Sequence, residues 1–259
     1  GVKPMPGDFA EFTPPMQGAG GSVDEIFPRK NQLPRPMIAN LDRLLIVVAA
    51  GEPEADLQLV DKLLLYARAH GIPAAIAVNK ADQRPDPSPI LQEYAGSGAQ
   101  LLEVSAREGR GLDAVKELLS GAFTCLAGQS AVGKSTLLNA IAPGLSLQTG
   151  ELSRKTARGR HTTRHRELLL LPELDAIVAD TPGFSILECM EMEPEELKDY
   201  YPEFFPFAGE CRFDGCLHDR EPQCRVKQAV AEGEVSAARY ARYQKLLQEL
   251  TERRENRYV

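Results

Sequence analysis

The sequence lacks any excess of positive charge: its 30 Lys and Arg residues are outnumbered by 37 Asp and Glu residues, giving a formal net charge of −7. Whole-molecule basicity therefore gives no hint of nucleic acid, and any such contact must come from a local basic patch. The sequence also lacks an apolar run approaching the roughly 20 residues that span a bilayer, and its first residues do not resemble a signal peptide. We therefore expect a soluble, cytoplasmic protein without a membrane partner.

Cysteine is scarce as well, and the five residues are an odd number that does not suit a secreted disulfide framework. Cys211, Cys216 and Cys224 fall in one short window with His218, spaced C-x₄-C-x-H-x₅-C. Three thiolates and one imidazole suit a tetrahedral Zn²⁺ without an open position, which is the form of a structural site. A redox pair or unrelated thiols are the alternative. Cys125 lies in an apolar run and is expected to be a buried strand residue.

What the chain does carry is the loop 128–135, G-Q-S-A-V-G-K-S, which matches the G-x-x-x-x-G-K-[ST] pattern of a phosphate-binding P-loop. An apolar run precedes it and a helical pattern follows, as the motif requires. Lys134, also a candidate catalytic residue, would reach the β- and γ-phosphates, and Ser135 would ligate Mg²⁺. The alternative is a glycine-rich turn that merely starts a helix. The residues assigned to the phosphates are Gly128, Gln129, Ser130, Ala131, Val132, Gly133, Lys134, Ser135 and Thr136.

The part of the chain before this loop alternates between two kinds of pattern. Continuous apolar runs predict buried strands at 44–50, 74–78 and 101–104. Helical patterns are predicted between and after them, near 55–70, 88–96 and 111–120. Strands that alternate with helices predict a doubly wound α/β sheet, with ligands at the carboxyl ends of its strands.

Polar residues follow two of these strands and predict a guanine site. In N-K-A-D, the carboxylate of Asp82 can accept hydrogen bonds from N1–H and the exocyclic amine of guanine, while adenine offers the wrong pattern. Asn79 would buttress the loop, and the stem of Lys80 would cover the ring face. Ser105 and Ala106 end the next strand, where a backbone N–H could meet the guanine O6. A plain strand-to-loop turn with a capping Asp is the alternative.

Two segments after the P-loop correspond to the switches of a GTPase. Residues 150–166 are basic and show no periodicity, and Thr163 or Thr162 would offer a hydroxyl to Mg²⁺. A solvated basic loop is a compatible interpretation. The predicted strand pair 168–171 and 176–179 ends in D-T-P-G, where Asp180 would hold Mg²⁺ through water and the Gly183 N–H would sense the γ-phosphate. An Asp-led turn is the alternative here.

The two ends of the chain have a different composition. Residues 1–38 are rich in Pro and Gly and hold two expected strands, which are either a small β-domain lacking its beginning or an arm packed on the next domain. The region after 191 combines an acidic helix near 194–200, an aromatic cluster expected to be core, and helices at 224–232 and 235–255. On the last helix several basic residues are expected on a solvated face, with contact to RNA phosphate as the minority interpretation; they include Arg239, Arg242, Lys245, Arg253, Arg254 and Arg257.

The motifs also stand in an unusual order, because the base-recognition elements precede the P-loop instead of following the switches. A circular permutation accounts for this order without disrupting the sheet. Together with G-R-H-T-T at 159–163, the Cys-Cys-His-Cys window and P-R-K-N-x-L-x-R-P-x-x-A-N-x-D at 28–42, the order resembles the circularly permuted, ribosome small-subunit-dependent GTPase A family of bacteria. The resemblance covers nearly the whole chain.

The resemblance implies a fold of class α/β: a circularly permuted P-loop GTPase domain with a partial N-terminal OB-like β segment and a C-terminal α-helical zinc-binding domain. The implied domains are 1–38, 39–190 and 191–259. It also implies a monomeric GTP hydrolase, with GTP or GDP, Mg²⁺ and Zn²⁺ as ligands. Its partners would be the small (30S) ribosomal subunit and its 16S rRNA, and hydrolysis would release it late in subunit maturation.

Two further residues take their interpretation from the resemblance. Phe184 stands where many GTPases place the Gln that orients the attacking water, and in this family His161 would assist the water instead. The N-terminus is too short for a full five-stranded OB-fold, and Ala131 replaces the Gly usual in relatives, with an effect that depends on its φ angle. Two other functions remain open: a zinc-dependent RNA-binding module with a structural nucleotide, and an ATP-using P-loop enzyme.

Overall fold

The computed structural model describes residues 3–15, 20–83, 87–145, 147, 167–180 and 192–257. Among these residues the strands are β1 Ala10–Thr13, β2 Ser22–Ile26, β3 Gln32–Pro34, β4 Met37–Ala39, β5 Arg43–Ala49, β6 Ala74–Asn79, β7 Gln100–Glu103, β8 Phe123–Ala127, β9 Glu167–Leu171 and β10 Ala176–Asp180. The α-helices are α1 Leu57–Ala69, α2 Ser88–Glu93, α3 Leu112–Leu119, α4 Lys134–Ile141, α5 Phe205–Ala208, α6 Arg225–Glu232 and α7 Ala237–Asn256. Short 3₁₀ helices lie at Ala95–Ser97, Pro143–Leu145, Pro172–Leu174, Pro194–Tyr200 and Pro202–Phe204.

A six-stranded sheet in the order β7-β6-β5-β8-β10-β9 forms the centre of the molecule. Every neighbouring pair is parallel except β10 with the edge strand β9. The parallel pairs require crossover connections, and the intervening helices provide them. The strands predicted at 44–50, 74–78, 101–104, 168–171 and 176–179 are all present within a few residues of their expected bounds, so the α/β class is confirmed.

Strand β5 shows why both faces of this sheet are covered. Leu44, Ile46 and Val48 point into one apolar core, while Leu45 and Val47 point into the other, as the two-residue repeat of a strand dictates. Helix α1 packs on the first face, and α3 and α4 pack on the second. The first core continues past the sheet into residues of α7, so sheet and C-terminal region share it.

The N-terminal residues form two small antiparallel pairs, β1 with β2 and β3 with β4. Leu33 and Ile38 of the second pair are buried in the sheet's core, whereas Phe12 on β1 and Phe9 just before it are about two-thirds exposed, at 65% and 67%. Among the described residues these two pairs are separate two-stranded sheets. The domain boundary at residue 38 stays a prediction.

Residues 192–257, hereafter the C-terminal module, are helical. The helix expected near 194–200 is a 3₁₀ helix that begins at Pro194, with the side chains of Glu193 and Glu196 capping its first turn reciprocally. Of the aromatic cluster expected to be core, Tyr201 and Phe204 are buried at 1% exposure each, Tyr200 and Phe207 pack partly buried against them, and Phe205 is exposed at 57%. None of the helices that the structure describes combines the length and the apolar character that a membrane crossing needs.

Candidate functional site

The P-loop lies where the sequence predicted it, between the carboxyl end of β8 and the first residue of α4, Lys134. Gly133 immediately precedes the helix with φ at +96°, and Gly128 opens the loop with φ at +133°. A Cβ at Gly128 would lie 2.1 Å from the carbonyl oxygen of Val47, and one at Gly133 would lie 2.5 Å from Nδ2 of Asn79. Both positions therefore require glycine, because the loop passes directly over its neighbours.

Two other P-loop residues have notable conformations. Nζ of Lys134 donates hydrogen bonds to the carbonyl oxygens of Gly128 and Gln129, at 2.8 and 2.9 Å, so its ammonium group lies across the loop. Ala131 is exposed and has φ at +65°. The sequence left its effect dependent on this angle, and the left-handed value means that its Cβ carries a steric cost of about 1 kcal/mol.

Asn79 connects the P-loop to both base-recognition loops. Its side chain is almost fully buried; Nδ2 donates to the carbonyl oxygen of Val132 at 2.9 Å, and Oδ1 accepts from the backbone N–H of Ala106 at 3.1 Å. These two bonds bring the ends of β6, β7 and β8 to one place, so the predicted phosphate loop and the predicted guanine loops meet at a single edge of the sheet. The backbone N–H of Ala106, one of the two that the sequence offered to the guanine O6, thus already donates to Asn79.

Asp82 is held in position by a neighbouring hydroxyl. Oγ of the buried Ser105 donates to Oδ1 of Asp82 at 2.7 Å. This hydrogen bond holds the pKa of the Asp82 carboxyl below its usual range, so the group is a carboxylate at neutral pH and can only accept hydrogen bonds. Lys80 adopts φ at +62° and donates from Nζ to the carbonyl oxygen of Glu52. The Asp82 carboxylate is suited to accept the two adjacent donors of guanine.

Several predicted site residues are not part of this geometry. Asp180 is the last residue of β10, beside the P-loop strand β8 and paired with Leu126, but its side chain lies outside the described residues. Ser135 is half-buried in the first turn of α4, next to the exposed Thr136. The other predicted residues that lie outside the described residues are His161, Thr162, Thr163, Gly183 and Phe184.

The predicted zinc ligands converge in the C-terminal module. One donor atom from each of Cys211, Cys216, His218 and Cys224 lies within 4.8 Å of all the others. Sγ of Cys211 is 3.9 Å from Sγ of Cys224, and Nδ1 of His218 is 3.6 Å and 3.4 Å from those two sulfurs. A tetrahedral Zn²⁺ with Zn–S of about 2.3 Å and Zn–N of about 2.1 Å spaces its ligands at roughly 3.6–3.8 Å. The donor set therefore fits zinc in both type and spacing.

The surroundings of the cluster fix it from outside. The hydroxyl of Tyr240 donates to the carbonyl oxygen of His218 at 2.6 Å, and the carboxylate of Glu221 accepts the backbone N–H groups of Leu217 and Asp219. Burial raises the pKa of the Cys216 thiol to about 12, because a thiolate without a nearby cation is poorly solvated there. A bound cation would reverse that shift, and the four residues would then close its coordination sphere.

The sequence interpretation missed one group of residues. Arg239 and Arg242 were expected on a solvated face of α7, but Arg239 is buried, Arg242 is mostly buried, and both pair with Asp61 of α1. The expectation was wrong because α7 packs on α1, a contact between residues nearly 180 positions apart that no local pattern reveals. A usable signal existed: Asp61 lies beside Val60 and near Leu64 on the apolar stripe of α1, and a carboxylate at such a position requires a partner.

Comparisons with known proteins agree with this geometry. The family model described as RsgA GTPase matches residues 26–190. A protein of Alkaliphilus metalliredigens named small ribosomal subunit biogenesis GTPase RsgA is 42% identical over 256 residues, covering 98% of this chain and 87% of the relative. A protein of the same name from Ruminiclostridium cellulolyticum is 44% identical over 252 residues, covering 96% and 82%.

Two solved structures are also similar. The crystal structure of YjeQ from Thermotoga maritima superposes with a TM-score of 0.80 at 36% identity, over 96% of this chain and 85% of that one. YloQ, described as a circularly permuted GTPase, superposes with a TM-score of 0.75 at 33% identity, over 97% and 82%. With the P-loop, the base loops and the permuted strand order in place, these matches show that the chain belongs to the RsgA GTPase family and is a GTP-hydrolysing enzyme.

Proposed function

We propose that this GTPase acts late in maturation of the small ribosomal subunit, binding the 30S particle and its 16S rRNA in the GTP state and leaving it after hydrolysis. The observation that carries the proposal is the pair of hydrogen bonds by which the Asn79 side chain joins the phosphate loop to the base loops. The ribosomal role is supported by the relatives named small ribosomal subunit biogenesis GTPase RsgA. The protein works in the cytoplasm as a monomer.

The nucleotide is held from its two ends. Backbone N–H groups of 128–136 surround the phosphates, and Lys134 neutralises the charge that develops as a water attacks the γ-phosphorus and the bond to the β-γ bridging oxygen breaks. The hydroxyl of Ser135 would hold a Mg²⁺, which when bound would neutralise negative charge on the phosphates. At the other end the carboxylate of Asp82 selects guanine, and the stem of Lys80 covers the ring. This assignment is supported by the hydrogen bond from Ser105, which holds the Asp82 carboxylate in place.

The switch residues complete the assignment. We assign Thr163 to Mg²⁺, Asp180 to the same ion through water, and the Gly183 N–H to the γ-phosphate. From the family resemblance we assign His161 to the attacking water, with the apolar Phe184 standing where many GTPases place a Gln. We expect slow turnover without the ribosome and acceleration by the subunit, which would position the attacking water.

We assign a structural zinc site to the C-terminal module, which the bound ion would make rigid. Cys211, Cys216, His218 and Cys224 hold a Zn²⁺ whose role is structural, since four protein ligands leave no open position. The support is the mutual spacing of the four donor atoms. The module then presents a fixed surface toward the ribosomal particle.

The test is the GTPase rate as a function of 30S concentration, with GTP and ATP compared side by side. We expect the rate with GTP to rise and saturate with 30S, and the rate with ATP to stay at background. His161→Ala should abolish most of the stimulation and leave nucleotide affinity nearly unchanged, with His70→Ala, at the C-cap of α1, as the control. A GTPase rate that does not respond to 30S would reject the ribosome-coupled function.

A further inference from the structure

A cluster of buried charges joins α1 to the C-terminal module, and the nucleotide chemistry described above makes no use of it. The side chain of Asp61 on α1 is fully buried, and its two carboxylate oxygens accept hydrogen bonds from Arg239 and Arg242 of α7. Arg239 also pairs with Glu203, and Arg242 pairs with Glu93 of α2. The two arginine side chains are only 4% and 13% exposed.

Aromatic rings fix the arginines from the sides. The guanidinium carbon of Arg239 lies 4.9 Å from the ring centroids of both Tyr94 and Tyr201, and Arg242 donates to the hydroxyl of Tyr94 at 3.3 Å. A planar guanidinium that is stacked and paired in a water-excluded site tolerates few positions. Helices α1 and α7 therefore cannot slide past each other without leaving a buried charge unpaired, which is strongly unfavourable.

The other end of α1 contacts the nucleotide loops. Asp56, the N-cap of α1, donates its backbone N–H to Oε1 of the P-loop residue Gln129 at 3.2 Å. The loop just before it accepts a hydrogen bond from Lys80 of the base-recognition motif at the carbonyl oxygen of Glu52. The residues that lead into α1 are thus bonded to both nucleotide loops.

The two ends of this connection are close together. Asp56 and Asp61 are five residues apart, which is about 7.5 Å along a helix that rises 1.5 Å per residue. Gln58 and Lys62, in the same two turns, both contact Glu249 of α7 at 2.9 and 3.1 Å. The contacts of α1 with the P-loop and with α7 thus lie within less than two helical turns of each other.

We propose that α1 couples the nucleotide loops to the C-terminal module, with Asp61 as the positioning residue through which α7 follows the P-loop. The inference rests on the proposed nucleotide site. When the phosphates move Gln129, the N-terminus of α1 moves with it, and the buried pairs pass the movement to α7. Because coupling between two sites is reciprocal, loosening α7 from α1 changes how well the P-loop distinguishes GTP from GDP.

The experiment measures the ratio of dissociation constants for GDP and a non-hydrolysable GTP analogue. Asp61→Asn preserves the volume and removes the charge, and we expect it to change the ratio by about fivefold, the low end of typical coupling between sites. Gln129→Ala should shift the ratio in the same direction, and the double variant no further than the larger single effect. Glu195→Gln, which breaks an exposed pair with Arg254 inside the module, is the matched control and should leave the ratio unchanged.

A structural role alone would weaken both nucleotides equally, so an unchanged ratio in a folded, metal-loaded Asp61→Asn variant overturns the coupling. Should that variant fail to fold, amide hydrogen exchange of the unmodified chain decides the matter. Protection in the first two turns of α1 and around 239–243 must then differ between the GDP and GTP-analogue states, while α3 on the opposite face stays constant. Equal protection in both states overturns the proposal, whereas a chain that binds neither nucleotide overturns the proposed function instead.

Discussion

The backbone of Ala131 lies in the left-handed region, where a Cβ crowds the following carbonyl oxygen. Replacing Ala131 by Gly should therefore increase the free energy of unfolding by about 1 kcal/mol, as measured by urea denaturation. Ala241→Gly, at an exposed position inside α7, is the matched control and should lower it by about 1 kcal/mol. A loss of stability at both positions would mean that residue 131 does not hold this conformation in solution.

Asp82 provides the second prediction at the scale of single residues. Asp82→Asn should shift nucleotide preference from guanine toward xanthine, because the amide can donate to the xanthine O2 that replaces the exocyclic amine. Competition binding of GTP and XTP measures the shift. Glu108→Gln, at an exposed carboxylate paired with Arg110 in the nearby loop, should leave the preference unchanged. An Asp82→Asn variant that still selects GTP would remove Asp82 from base recognition.

At the scale of secondary structure elements, the Asn79 side chain links the loops that follow strands β6, β7 and β8. A Cβ at Gly133 would approach Nδ2 of Asn79 to 2.5 Å and push it from the carbonyl oxygen of Val132. Gly133→Ala should therefore weaken GTP binding by about tenfold or more, because the P-loop and the base loops would no longer be joined through Asn79. Isothermal titration calorimetry would measure the dissociation constant for GTP. Gly144→Ala, whose added Cβ would meet nothing within 4 Å, should bind GTP normally. Tight binding by Gly133→Ala would show that Asn79 does not hold the loops together.

The elements themselves were largely predictable from the sequence. Strand β5 and its neighbours are continuous apolar runs bounded by turns, and the P-loop and N-K-x-D patterns depend on neighbouring residues, so local information was sufficient. The bond from Asn79 to Val132 and the pairing of Asp61 with Arg239 join residues far apart in sequence. Which of several exposed-looking arginines becomes buried depends on how the helices dock, and a single sequence does not encode that docking in any local pattern.

At the scale of the whole molecule, the metal site and the shared core act together. The module's helices hold few apolar residues beyond those of α7 and the aromatic cluster, so bound Zn²⁺ should supply much of its folding free energy. Cys224→Ser should reduce zinc content from about one per chain to near zero and lower the melting temperature. Cys125→Ala, at a buried cysteine in β8 outside the cluster, should keep the zinc. A Cys224→Ser chain that melts like the unmodified protein would argue against a structural metal.

The apolar core on one face of the sheet runs without a break from β5 and α1 into Phe204, Tyr243 and Leu246 of the C-terminal module. In the described part of the chain, the sheet and the C-terminal module therefore share one apolar core. If the two parts were expressed as separate fragments, each would expose the apolar surface that the other covers, and we expect both to aggregate. We therefore expect the nucleotide-binding sheet and the C-terminal module to fold as one cooperative unit.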